Sequence, residues 1–98
     1  MASSKDFLNF ILQQLSGVDA VSSRQMMGEY IIYYNGKVIG GIYDNRFMVK
    51  PVKSVTSMIN GEMAVPYVGA REMFYIKDVE NPELLCQVVK LVYQELYA

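Results

Sequence analysis

The chain predicts an α+β domain of two layers, an antiparallel sheet of about five to six strands with helices packed on one face. Three observations carry this. Apolar residues recur at helical spacing near both ends of the chain. Between about 20 and 50 the apolar period changes to two. Within that stretch, Asn35-Gly36 and Asp44-Asn45 are tight-turn dipeptides flanked by β-rich runs. The 98 residues, 52% of them apolar, suffice for one domain over 1–98 and a single core. A chain of this size buries roughly 60–68% of its unfolded surface.

The elements follow in order. Residues 1–4 are expected to be a loose end. Ser3 or Ser4 can cap a helix over 5–15, where Phe7, Leu8, Ile11, Leu12 and Leu15 form the apolar stripe and Gly17 ends it. A short strand near 21–26 precedes strands at 29–34, 37–43 and 46–50, and the last three form a meander. Pro51 closes it, because proline cannot donate to a ladder. A short helix is predicted over 52–59, then strands near 62–67 and 70–76, the first an edge strand because of Pro66. Asn81-Pro82-Glu83 supplies an N-cap and first turn for a helix over 82–97.

The turns set a register and hence two faces. With Tyr34 opposite Lys37 and Tyr43 opposite Arg46, a regular ladder places Tyr30, Ile32, Tyr34, Lys37, Ile39, Tyr43, Arg46, Met48 and Lys50 on one face. Ile31, Tyr33, Val38, Ile42, Phe47 and Val49 occupy the other. The second face, almost free of charge, is the expected floor of the core. The first, aromatic with three cations, is the candidate interaction face. Tyrosine and arginine are enriched in protein interfaces, and the same pairing can stack bases and hold phosphates. Too much of this face is apolar for a monomer to leave bare, which predicts a homodimer or another protein across it.

Charge and composition narrow the chemistry. The net charge of −1 exerts no global pull on nucleic acid, although residues 24–77 carry +3 and the flanks −4. The chain has no histidine, hence no general base of the usual kind, no catalytic triad and no zinc ligand set. No phosphate loop or dinucleotide fingerprint is present. Carboxylates are scattered, and no cofactor or metal is expected. The single cysteine, Cys86, falls on the edge of the last helix's stripe and reads as a small packed hydrophobe. One cysteine, no leader pattern and no long apolar run lead to the expectation of a soluble cytoplasmic protein, not a membrane one.

One segment points beyond this. Arg24, Met26, Gly28, Tyr30, Tyr33, Gly36 and Lys37 resemble the opening pattern of the TfoX N-terminal domain family. In that pattern an Arg is followed by Met-Phe-Gly-Gly-Tyr and then by Tyr-x-Asp/Asn-Gly-Lys. Met27 stands where the family usually has Phe, and Glu29 where it often has a second Gly. Lys50 at the end of the meander and the run Asn81–Leu85 also have counterparts there.

The resemblance implies a two-layer domain likened to secretion chaperones. It also implies regulation of the competence type, in which longer relatives carry a further helical domain and assist a transcription factor. The chain given ends where that domain would begin, so a stand-alone N-terminal domain is expected. The resemblance supplies no catalytic residue. The resulting expectation is a non-enzymatic interaction domain that modulates transcription through a protein partner. Direct nucleic-acid binding through the aromatic, cationic face is the alternative.

Overall fold

The computed structural model describes residues 3–98. They form an α+β domain with the element order α1 (Lys5–Gln14), β1 (Val21–Met26), β2 (Glu29–Tyr34), β3 (Lys37–Tyr43), β4 (Arg46–Val49), α2 (Lys53–Thr56), β5 (Glu62–Ala64), β6 (Met73–Ile76) and α3 (Pro82–Tyr97). One six-stranded antiparallel sheet runs β1-β2-β3-β4-β6-β5.

Three two-residue turns build its first four strands. Met27 and Gly28 have φ of 54° and 83°, Asn35 and Gly36 have 51° and 76°, and Asp44 and Asn45 have 55° and 54°. Positive φ at both central residues is the signature of a type I′ hairpin, whose twist matches that of the flanking strands. The meander therefore has four strands where three were expected. Gly28 holds the second position of the first of these turns.

The register departs from the predicted one at a single point. Tyr34 opposes Lys37 and Tyr33 opposes Val38, as a regular ladder requires. Ile32 then opposes Gly40, and Tyr30 opposes Ile42. Ile39 is the extra residue of a β-bulge, and both Ile39 and Gly40 face Ile32 across the ladder. Beyond a bulge, every position of the bulged strand changes face relative to a simple count. Tyr30 and Ile32 thus share the core side with Ile42, Phe47 and Val49. Ile31 and Tyr33 lie on the other side, with Gly41 and Met48. The expectation that Ile31, Val38, Ile42 and Phe47 share one buried face is therefore wrong.

α1 and α3 cover the core side. Leu8, Ile11 and Leu15 from the first, and Leu85, Val88, Val89 and Val92 from the second, pack into one cluster with Tyr30, Ile32, Ile39, Ile42, Phe47, Val49, Phe74 and Ile76. Each such fully buried aliphatic or aromatic side chain contributes roughly 1.5–3 kcal/mol. α1 and α3 start where expected, while the helix predicted over 52–59 is the single turn Lys53–Thr56. Ser4 Oγ accepts from the Phe7 amide at 3.1 Å, and Asn81 Oδ1 accepts from the Leu84 amide at 3.2 Å.

Two glutamates join distant segments. Glu29 accepts from the Ser3 amide at 2.9 Å, the Ser3 hydroxyl at 2.5 Å and the Asp44 amide at 3.0 Å. The Ser3 hydroxyl in turn accepts from the Asn45 amide at 3.0 Å. Ser3 and Ser4 are thus fastened to two hairpin turns, not loose; residues 1 and 2 of that expected end lie outside the described residues. At the other end of the domain, α2 has Val52 as its N-cap, with no side-chain acceptor of its own. Glu95 of α3 supplies one, accepting from the Lys53 and Ser54 amides at 2.9 and 3.1 Å.

Candidate interaction face

The nine residues of the predicted face separate into three groups. Tyr30, Ile32 and Ile39 lie in the core beneath the helices. Tyr43, Arg46 and Met48 lie on the outer face of the sheet. Tyr34, Lys37 and Lys50 gather around the end of α3. There the Tyr34 and Tyr93 rings meet edge-on at 5.0 Å, and Lys37 and Lys50 lie 6.0 and 5.7 Å from the Tyr97 ring. The Tyr97 hydroxyl donates to the Val38 carbonyl at 2.8 Å and accepts from Lys50 Nζ at 3.1 Å. The bulge is the physical reason for the split. Tyr30, Ile32, Ile39, Tyr43 and Met48 are all buried within one chain, so they form no open patch.

The seven residues of the family pattern sort by what the fold demands of them. Gly28 and Gly36 hold left-handed turn positions, and Tyr30 fills the core. Lys37 is exposed at the second turn, beside Tyr97. The other three converge. Arg24 opposes Ile31 in the β1–β2 ladder, Met26 opposes Glu29, and Ser22 opposes Tyr33. Opposed residues of an antiparallel pair share a side. Arg24, Met26, Ile31 and Tyr33 therefore all stand on the outer face of the first hairpin, at the free edge of the sheet. Arg24 and Met26 are exposed, Ile31 and Tyr33 half-buried, and Met27 at the hairpin tip is 95% exposed.

The outer face continues across the sheet. Arg46 and Lys77 approach the Tyr75 ring at 5.8 and 5.7 Å, and Lys77 pairs with Glu62 at 3.3 Å. Tyr67, from the segment between β5 and β6, stacks obliquely on Tyr43 at 5.9 Å. Tyr67, Tyr75 and Lys77 were not foreseen at this face, because nothing in their local pattern reveals that β6 inserts beside β4. Burial of Tyr43, together with the neighbouring Tyr67, Glu29 and Tyr33, raises its phenol pKa above the ordinary value. Cys86 is half-buried at the margin of the core, its thiol 3.6 Å from the Gln14 carbonyl. Among the described residues no three His, Cys, Asp or Glu side chains cluster as metal ligands, and no helix is long and apolar enough to cross a membrane.

The fold and the hairpin pattern define a class, and comparison with known proteins agrees with it. The family model of the TfoX N-terminal domain matches residues 13–96. The chain belongs to the TfoX N-terminal domain family. It is similar to a protein of Spirochaeta aurantia described as an uncharacterized 12.7 kDa protein in the trpE 5′ region, with 32% identity over 80 residues, 81% of this chain and 70% of that protein. No solved structure matches the chain.

Proposed function

We propose that this domain is a non-enzymatic adaptor that acts through a protein partner, in a transcription-regulatory role of the competence type, within the cytoplasm. The observation that carries this is the convergence of Arg24, Met26 and Tyr33. These are the pattern residues with no task in turn or core, and they share the outer face of the first hairpin with Ile31. An arginine, a methionine and a tyrosine around a half-buried isoleucine have the composition of a protein contact. β1 is also a sheet edge, with unpaired backbone groups open to a partner strand or to a second copy of the chain. The absence of histidine from the sequence supports a role without catalysis.

Direct nucleic-acid binding is the second reading, favoured by Arg46 and Lys77 around Tyr75. It ranks lower because Glu62 already neutralises Lys77.

The test is capture from native lysate with the intact chain, beside a variant carrying Arg24→Glu and Tyr33→Asp. A specific protein retained by the wild type and lost by the variant is the expected result. Recovery of no partner, together with tight and salt-sensitive DNA binding, would reverse the order of the two readings.

A further inference from the structure

A cavity of about 510 Å³ lies where the 65–72 segment meets the sheet and the last turn of α3. Its walls include Val38 from β3, Met73 from β6, Leu96 from α3 and the Tyr67 ring. Three groups that can hold an anion border it: Tyr43, Lys50 and Arg71. The Lys50 ammonium is already engaged by the Tyr97 hydroxyl. Arg71 is exposed and has no ion pair among the described residues. Glu72 also borders the opening, so two cations there face one carboxylate.

Tyr43 is the most informative of these groups. The residue is only 7% exposed, and its hydroxyl makes no hydrogen bond among the described residues, yet the hydroxyl itself still meets solvent at the cavity surface. Its ring passes over Gly41 so closely that a Cβ there would lie 2.7 Å from the ring edge and 2.8 Å from the hydroxyl. Tyr67 packs on the ring as well. The phenol is thus fixed in place, and its raised pKa keeps it a proton donor. The hydroxyl is therefore a positioned donor at the cavity surface, where a ligand's acceptor can take the place of water.

We propose that this cavity binds a small amphipathic anion, a carboxylate or sulfonate on an aromatic or branched aliphatic body. The volume lies in the range of small-molecule sites, which combine apolar walls with a few polar groups. The apolar body lies against Val38, Met73 and Leu96. The acidic group accepts from the Tyr43 hydroxyl in the field of Arg71. This site adjoins the hairpin face, since Val38 opposes Tyr33, but none of Arg24, Met26 and Tyr33 lines it, and its occupancy does not depend on the adaptor reading.

The probes are anilinonaphthalene sulfonate and its uncharged counterpart phenylnaphthylamine, titrated into the intact chain by fluorescence. One saturable sulfonate site per chain is expected. Tyr43→Phe and Arg71→Gln should each weaken the sulfonate by about three- to tenfold, the effect of one lost hydrogen bond or ion pair, and leave the neutral probe unchanged. Ala70→Phe, which adds a ring to the cavity wall, should abolish binding of both. Circular dichroism melts establish that each variant folds; if Tyr43→Phe does not, exposed Arg71→Gln carries the same comparison. The proposal is overturned by non-saturable binding, by full binding to Ala70→Phe, or by equal losses for both probes.

Discussion

Gly40 and Val49 oppose each other across β3 and β4 at a separation that leaves no space for a methyl group. A Cβ on Gly40 would lie 2.6 Å from the Val49 Cα and 2.1 Å from the Met48 carbonyl oxygen. Those atoms are backbone, so the strands themselves would have to part. Gly40→Ala should destabilise the domain by about 2–3 kcal/mol or more, at the upper end of overpacking effects. Urea unfolding measures this, and a variant as stable as the wild type would show that the bulge is not held at Gly40.

Gly36 presents the opposite case. Nothing lies within 4 Å of a Cβ placed there, but its φ is 76°. Gly36→Val should cost about 1 kcal/mol or more, through backbone strain alone. Comparing the two glycines by thermal melts separates conformational strain from steric exclusion.

Removal of the Glu29 carboxylate should loosen Ser3 and the third turn together. Glu29→Ala leaves the Ser3 hydroxyl and the Asp44 amide without their acceptor, while the Ser3 amide keeps the Gly28 carbonyl, and should cost about 1.5–3 kcal/mol, the range of hydrogen bonds to a charged group. Hydrogen exchange at the Ser3, Asp44 and Asn45 amides should quicken as one group. Independent rates would show that no shared latch exists.

Acid should loosen α2. The Ser54 hydroxyl beside Glu95, then the Ser54 and Lys53 amides and the Lys53 charge, hold its carboxyl pKa below the ordinary value of 4.5. A group lowered in the fold stabilises it fully above its unfolded pKa. That stabilisation is lost as the pH falls through the folded value. Melting temperatures of the wild type and of Glu95→Gln should therefore differ at neutral pH and converge in this acid range. A constant gap across it would exclude Glu95 as the ionised cap.

Glutamate substitutions distinguish the two sides of the sheet. Tyr30 is 8% exposed and Ile39 fully buried, so Tyr30→Glu with Ile39→Glu should unfold the domain. It does not serve as a clean test of self-association. Arg24→Glu and Tyr33→Asp, on the outer hairpin face, should leave the circular dichroism spectrum intact. Sedimentation of those variants beside the wild type then tests for a dimer through that face.

How far the sequence spoke depended on the range of the interactions involved. The Asn35-Gly36 and Asp44-Asn45 turns, the Ser4 and Asn81 caps and the extent of 82–97 rest on neighbours a few residues apart, and all were legible. The Met27-Gly28 turn was obscured because methionine does not advertise a left-handed position. The bulge at Ile39 arises from packing between strands, and the Gly40-Gly41 pair was its only trace. The strand expected over 70–76 shrinks to Met73–Ile76 and the one expected over 62–67 to Glu62–Ala64, and Tyr67 between them packs on Tyr43. The Glu95 cap of α2 joins residues more than 40 positions apart, beyond any local pattern. The nine residues of the candidate face divided for the same reason as the register, and the convergence of Arg24, Met26 and Tyr33 on one side required the true pairing.

The three two-residue turns also bear on the order in which the chain acquires its structure. Closing so short a loop costs little entropy, so the pairings from Val21 to Val49 can form in succession, each guided by the one before. Bringing α1 against α3 joins segments some 70 residues apart, and β6 must pass β5 to reach β4. The refolding transition state is therefore expected to contain the central hairpins and little of either terminal helix. Substitutions at Leu8 or Val88 should then speed unfolding, while those at the central turns slow folding.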